Sequence, residues 1–321
     1  MKKSVVILEI NNQSMVRGVG RYTQLLKQAL EGYTTEESTL INPFVNPILW
    51  PTLWMHHATR QIGILHDTIP LKFPHHFPIG MRGHLHVVLH RTYILGLYNI
   101  LVTHTQASKN DIVRFFNPAC PITVVYPGVA PLGASQKPSH MLPPSTYLLY
   151  IGDVTWNKNI VVMASAVLKA GIPMVVVGKA MARPPHPTDP WQKDFRTFSA
   201  LIQDNPLFIK AGFMPDAQVR WLYEHSLANV LVSRDEGFGL SYIEAGSVGT
   251  PSILSDIPVF HEIADDAALF VDQNDPASIA AAITRLAHDT SLRKQLGSAA
   301  KKRSNFFSVN RFIHEFRKLL P

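Results

Sequence analysis

Short apolar runs alternate along the chain with longer stretches of helical periodicity. Residues 5–10 form such a run, bounded by Asn11, Asn12 and Gln13, and read as a first β-strand rather than a secretory leader, because no small-residue cleavage site follows. A polar loop, NNQSMVRGVG, comes next; then Tyr22, Leu25, Leu26 and Leu30 recur at i, i+3, i+4 and i+8, the pattern of one helix face. Residues 62–65 make a buried strand ending at His66-Asp67, and Pro70, Pro74 and Pro78 predict an irregular loop after it. Residues 84–99 predict a helix, 100–103 a strand, 108–116 a short helix and 122–126 another strand.

Pro131, Pro138, Pro143 and Pro144 interrupt any periodicity between 131 and 145, which predicts a linker. Beyond it the alternation restarts, with strands at 147–151, 173–177, 207–210, 229–232, 252–254 and 268–271. Helices are expected at 159–170, up to 200, 216–224, 241–247, 261–264, 276–288, 292–302 and 309–320. Short Val- and Ile-rich strands separated by helices imply parallel sheets covered on both faces. Two in series predict an α/β protein with parallel sheets facing across a cleft, divided as 1–130, a linker at 131–145, 146–305, and a terminal helix within 306–321.

The 321 residues allow two domains. With 46% hydrophobic and 17% charged residues, disorder and fibrous repeats are excluded. The single cysteine, Cys120, rules out an intrachain disulfide and a Cys-based zinc site, and a cytoplasmic location is expected. The most apolar segment, 93–102, is short of the ~20 residues that span a bilayer. Charge is uneven: residues 1–144 hold 12 Lys+Arg against 6 Asp+Glu, whereas 145–321 hold 18 against 17. The basic first part either meets something anionic or is a solvated surface.

The densest chemical signal is Ser233-Arg234-Asp235-Glu236-Gly237-Phe238-Gly239-Leu240-Ser241-Tyr242-Ile243-Glu244. A predicted strand runs into a glycine-bearing loop that opens a helix near Ser241, and loops at the carboxyl ends of parallel strands are where open α/β sheets bind ligands. The glycines let backbone N–H groups approach a phosphate or sugar, and the helix N-terminus adds partial positive charge. Glu244 has two readings, a ligand-binding carboxylate or the last member of a Ser241-x-x-Glu244 capping box, which local spacing favours. Glu236 is a loop acid that either contacts ligand or is solvated.

EGFGLSYIE, GTPSILSDIP and AALFVDQNDPASIAAAI, together with RGVGRYTQLL, LHDTIPLKFP, TQASKNDIVRFF, VVYPGV and YIGDVTWNKNI, resemble in order the landmarks of family 4 glycosyltransferases. The resemblance implies a GT-B fold of two Rossmann-like domains, with the terminal helix within 306–321 crossing back to the first domain, and retaining transfer from a nucleotide-diphosphate sugar. By residue, it implies that Glu244 binds the donor ribose and Glu236 the transferred sugar. Gly237, Phe238, Gly239 and Leu240 would cradle sugar and diphosphate, and Lys158 would stabilise the leaving diphosphate. Gly18 and Gly20 would belong to a first-domain loop closing over that diphosphate, and His66 to catalysis at the sugar. A histidine at a strand end is also, on local grounds, a hydrogen-bonded structural residue. No cofactor and no catalytic metal are implied. The implied partners are a nucleotide-sugar donor, with GDP-mannose favoured over a UDP-sugar, and a glycan or polyprenyl-diphosphate-linked acceptor in surface polysaccharide synthesis at the inner face of a membrane. Nucleic acid is not an expected partner.

Two departures stand out. Asp153, not Arg, follows Gly152, and Asn157 precedes Lys158, so a cation present in many relatives is absent; Arg17 or Arg21 is a possible substitute. Other readings of the chain are a GT-B nucleotide-sugar epimerase or hydrolase, and a non-catalytic nucleotide-sugar-binding subunit. His86 and His90 are spaced i, i+4 without a third metal ligand, and read as surface or interface histidines. His56-His57 and His75-His76 carry no further signal. Arg82, Arg91 and the apolar residues between them form either a basic amphipathic face on an anionic bilayer or one side of a partly buried helix.

Overall fold

The computed structural model of the chain describes residues 5–8, 17–50, 58–139 and 143–321. His56-His57 and part of the first polar loop lie outside these residues. The chain divides into two compact units, one ending at Gly128 and resuming at Phe307–Pro321, the other Val129–Phe306.

In the first unit, strands β1 (Val5–Ile7), β2 (Thr39–Asn42), β3 (Arg60–Ile64), β4 (Ile100–Thr103) and β5 (Ile122–Val124) make a parallel sheet in that order. Helices α1 (Arg17–Leu30), α2 (Ile69–Lys72), α3 (Gly80–Thr92) and α4 (Gln106–Phe116) connect them. Strand side chains alternate between two cores, as the two-residue period requires. Ile41, Ile62, Ile64 and Val102 pack on Tyr22, Leu25 and Leu26 of α1, whereas Leu40 and Leu101 pack with Ile112 and Phe116 of α4. The helix expected over 84–99 is instead α3 followed by a separate 3-10 turn, Ile94–Leu97. The break falls at Tyr93, whose φ of −138° leaves the helical region. Helix α4 begins two residues earlier than its periodicity indicates, because the Thr105 hydroxyl accepts the Ser108 N–H (3.1 Å) as an N-cap.

In the second unit, β6 (Leu148–Ile151), β7 (Met174–Val177), β8 (Phe208–Gly212), β9 (Ala228–Leu231), β10 (Ser252–Ser255) and β11 (Leu269–Val271) form a parallel sheet ordered β11-β10-β9-β6-β7-β8. Helices α5 (Ile160–Ala170), α6 (Lys193–Leu201), α7 (Asp216–His225), α8 (Leu240–Ser247), α9 (Pro258–Ala264), α10 (Pro276–His288) and α11 (Thr290–Ser304) accompany it. One face packs on α5, α6 and α10 through Met163, Val167, Phe198 and Ile283; the other packs on α7 through Val219, Leu222 and Tyr223. Part of the Pro-rich stretch is tied to this unit: Leu132 is buried in the α7-side core, and Gln136 N–H donates to Ala217 O (3.0 Å).

Helix α12 (Val309–Arg317) packs in the first unit. Phe312 and Phe316 join the α1 core, and Arg317 Nε donates to Ala29 O (2.7 Å). Among the described residues no helix is long and apolar enough to cross a membrane.

Candidate active site

Strand order places the site of the second unit. The chain moves outward from β6 to β7 and β8, then returns to β9 on the other side of β6, so the order reverses between β6 and β9. Such a reversal opens a crevice at the carboxyl ends of the two strands, where open α/β sheets bind ligands. The first sheet runs β1 to β5 without a reversal.

Two loops line the crevice. After β6 comes Gly152, and then a 3-10 turn, Trp156–Lys158, closed by Asn159 in the left-handed region (φ 56°). Asn159 is fully buried, and its Nδ2 donates to Val232 O (3.0 Å) and Gln273 O (2.7 Å), which fastens this turn to the end of β9. The second loop returns the contact: Arg234 N–H donates to Asn157 O (2.7 Å) and Asn157 Nδ2 to Asp235 O (3.1 Å). Arg234 stacks over the Trp156 ring at 4.5 Å while its Nη1 donates to Trp156 O (2.5 Å) and Asp194 Oδ2 (3.2 Å). Arg234 is thus a clamp between the loops.

The result of this bracing is a charged pair. Lys158 Nζ lies 2.7 Å from Glu236 Oε1, which also accepts the Ser233 hydroxyl at 2.8 Å. Glu236 is 7% exposed and Lys158 20%, so the carboxylate is held inside and the lysine side chain is partly accessible. Tyr150, buried below, donates to Asp153 O (2.5 Å); burial, then the charges of Asp153 and Glu236, push its phenol well above the usual range, so it remains a neutral donor. Asp153, which follows Gly152, accepts the Val154 N–H at 2.7 Å and serves as a local cap.

The loop then enters α8. Gly239 takes φ +94° as the N-cap residue, which glycine adopts without strain, and Leu240 opens the helix. Ser241 therefore lies inside the helix, and the capping-box reading of Glu244 is corrected: the helix starts one residue earlier than expected. Glu244 is 3% exposed and accepts the buried Tyr223 hydroxyl at 3.3 Å. Phe238 is buried, so it anchors the loop while Gly237 and Leu240 stay partly accessible beside the helix N-terminus.

Gly18, Gly20 and His66 belong to the first unit. Gly18 and Gly20 fall in the first turn of α1 and not in a loop, a correction that places the Gly18 amide, near the helix start, among those a helix cannot pair internally. His66 Nε2 lies 2.9 Å from Pro43 O, and His66 Nδ1 lies 2.7 Å from His104 Nε2. Pro43 O only accepts, so His66 carries its proton on Nε2, and His104 donates to Nδ1. Both nitrogens of His66 are thereby occupied within the first unit, the arrangement expected of a hydrogen-bonded structural histidine. The Tyr22 ring packs against both imidazoles, with centroids 5.2 and 4.6 Å away.

Burial lowers the His66 pKa from 6.5 to about 4, and burial and then His66 lower that of His104 well below the usual range. An unfolded histidine protonates near pH 6.5 and folded His66 only near 4, so stability present above pH 6.5 is lost as pH falls between those values. For His66 this is on the order of 3 kcal/mol. Urea unfolding of the first unit at about pH 7 and about pH 5 is expected to show the loss, flattened in His66→Gln. Equal stability at both pH values would rule out a buried neutral pair.

His86 and His90 do not form a metal pair. His86 Nδ1 bonds Ile48 O (3.0 Å), and the buried His90 bonds His86 O (2.8 Å) through its Nδ1. Tyr223 and His104 are site-shaping residues that local spacing does not single out, and Ser233 and Arg234, within the run read above, receive a role only here.

The fold is of the GT-B class, two parallel-sheet α/β domains. Sucrose-phosphate synthase from Thermosynechococcus elongatus superimposes with a TM-score of 0.70 at 19% identity, covering 97% of this chain and 79% of that one. Residues 136–303, which contain the whole crevice, match the model of the glycosyl transferases group 1, and the chain belongs to that family. The O-antigen chain mannosyltransferase B of Escherichia coli is 26% identical over 255 residues, 74% of this chain and 64% of the relative. The O-antigen chain mannosyltransferase RfbU of Salmonella typhimurium is 36% identical over 109 residues, 33% of this chain and 29% of the relative. The chain thus spans less than two thirds of the length of either of these relatives.

Proposed function

We propose that the protein transfers a hexose, with retention, from a nucleotide-diphosphate sugar to a glycan or polyprenyl-diphosphate-linked acceptor in surface polysaccharide synthesis. The observation that carries this reading is the Lys158–Glu236 pair at the strand reversal, beside the N-terminus of α8. The donor diphosphate meets the Lys158 ammonium and the loop amides at Gly237–Leu240, where the helix end favours an anion. Glu236, held by Lys158 and Ser233, accepts hydroxyls of the sugar, and Glu244 accepts ribose hydroxyls. The bond from the anomeric carbon to the phosphate oxygen breaks as the acceptor oxygen bonds to the same face. The acceptor proton passes to the departing diphosphate, whose growing charge Lys158 offsets. No protein nucleophile and no metal is needed. The relatives named O-antigen mannosyltransferases support mannose as the sugar, and we take GDP-mannose as the donor over a UDP-sugar. The basic residues 1–144 support work at the cytoplasmic face of an anionic membrane.

Glu244 gives the experiment. Glu244→Gln keeps an acceptor for Tyr223 but loses the charge offered to the ribose, so nucleotide binding is expected to weaken about ten- to a hundredfold. The melting temperature should move by no more than about 4 °C. Calorimetric titration with GDP and UDP checks both parts; unchanged affinity with a large fall in Tm would return Glu244 to a purely structural role.

A further inference from the structure

Helix α3 presents an apolar stripe that nothing in the described chain covers. Met81, Leu85, Val88 and Thr92 recur at i, i+4, i+7 and i+11 along one side, and the first three are 91%, 63% and 56% exposed. The only polar group in that line is satisfied within the helix, since the Thr92 hydroxyl donates to Val88 O (2.9 Å). Arg82 flanks the stripe on one side and His84 and Arg91 on the other, all exposed, while the inward side carries the buried Gly83 and His90. The helix has no carboxylate. On the Arg82 side, the exposed Trp50 packs edge-on against the His86 ring, with centroids 5.5 Å apart.

We propose that this face of α3 docks the protein on an anionic lipid bilayer, with Met81, Leu85 and Val88 in the acyl boundary and Arg82 and Arg91 on lipid phosphates. An interfacial helix buries an apolar stripe while the cations beside it snorkel to the headgroups, and tryptophan favours the same depth. A second copy of the chain fits less well. A two-fold contact along the stripe would bring its flanking arginines towards like charges. A thirteen-residue helix, about 20 Å long and about 10 Å wide, also offers far less than the ~800 Å² that each partner of a stable dimer buries. The proposal rests on the membrane-side reading of the acceptor given above, and names the surface that meets the membrane.

Co-sedimentation of the full chain with phosphatidylcholine vesicles, with and without phosphatidylglycerol, tests it. Binding is expected only with phosphatidylglycerol, and to weaken as salt rises. Arg82→Gln combined with Arg91→Gln should weaken it about thirtyfold, at the usual contribution per basic residue near an anionic surface. Met81→Glu combined with Leu85→Glu should abolish it; because both side chains are exposed, the melting temperature should stay unchanged. No binding to the anionic vesicles, equal binding to neutral ones, or wild-type binding by both double variants would overturn the proposal. So would a wild-type dimer that the stripe variants turn into monomers without vesicle binding. Transfer to a soluble acceptor, assayed without vesicles, separates the two readings. Transfer without vesicle binding removes only the docking surface, and vesicle binding without transfer removes only the enzyme reading.

Discussion

Lys158→Ala is expected to lower kcat about 10²–10³-fold, the cost of removing a placed group that meets charge developing in the transition state. Lys158, 20% exposed, ends the turn that follows β6 with its ammonium 2.7 Å from Glu236, and in the proposed reading it meets the donor diphosphate. Asp153 is an acid engaged with the Val154 N–H, and Arg234 is committed to Trp156 and Asp194, so neither relieves the loss. Stability should fall as well. The Glu236 carboxylate, 7% exposed, would keep the Ser233 hydroxyl but lose its counter-charge, which costs on the order of 1–3 kcal/mol. Single-turnover rates at saturating donor, with urea unfolding of the same samples, measure both effects. Near-normal kcat would mean that Lys158 does not stand at the leaving group.

Glu236→Ala should also abolish transfer, by about 10²-fold or more, with a smaller loss of stability. The asymmetry follows from exposure: without Glu236 the Lys158 ammonium can turn to water, whereas without Lys158 the carboxylate cannot. Because the two groups act as one unit, the double variant should be little slower than either single variant. A product of the two single effects would show that Lys158 and Glu236 work independently, and the pair would then be a structural coincidence.

Much of the second unit is legible in local pattern. Pro276–His288 starts with Asp275 accepting Ala277 N–H (2.8 Å), carries Pro at its first position and buries Ile279, Ile283 and Leu286 at helical spacing. Glu236 and Gly237–Leu240 are legible as a loop after a strand for the same reason. What no window along the chain contains is long-range pairing. Thr39–Asn42 is a strand of four residues without alternation, made a strand by neighbours on both sides. Lys158 and Glu236 are 78 residues apart and meet only because β6 and β9 are adjacent. The His66–His104 contact is likewise a consequence of register: Ile64 pairs with Val102, and two residues further along each strand the imidazoles stand side by side. Seen alone, His66 reads as a hydrogen-bonded structural residue and only the resemblance implies a catalytic role; with Pro43 O and His104 beside it, both of its nitrogens are engaged. Local pattern sets the start of α8 too late because Ser241 is a good capping residue, yet Gly239 reaches a left-handed conformation that Ser does not adopt cheaply.

The most direct test of the donor site is an NMR-followed incubation of the protein with GDP- and UDP-linked sugars in the presence of a polyprenyl-diphosphate glycan fraction. The account predicts a new glycoside with one donor, GDP-mannose foremost, carrying the anomeric configuration of that donor and absent with Lys158→Ala. No new glycoside from any donor, an inverted anomer, or undiminished product with Lys158→Ala would contradict it.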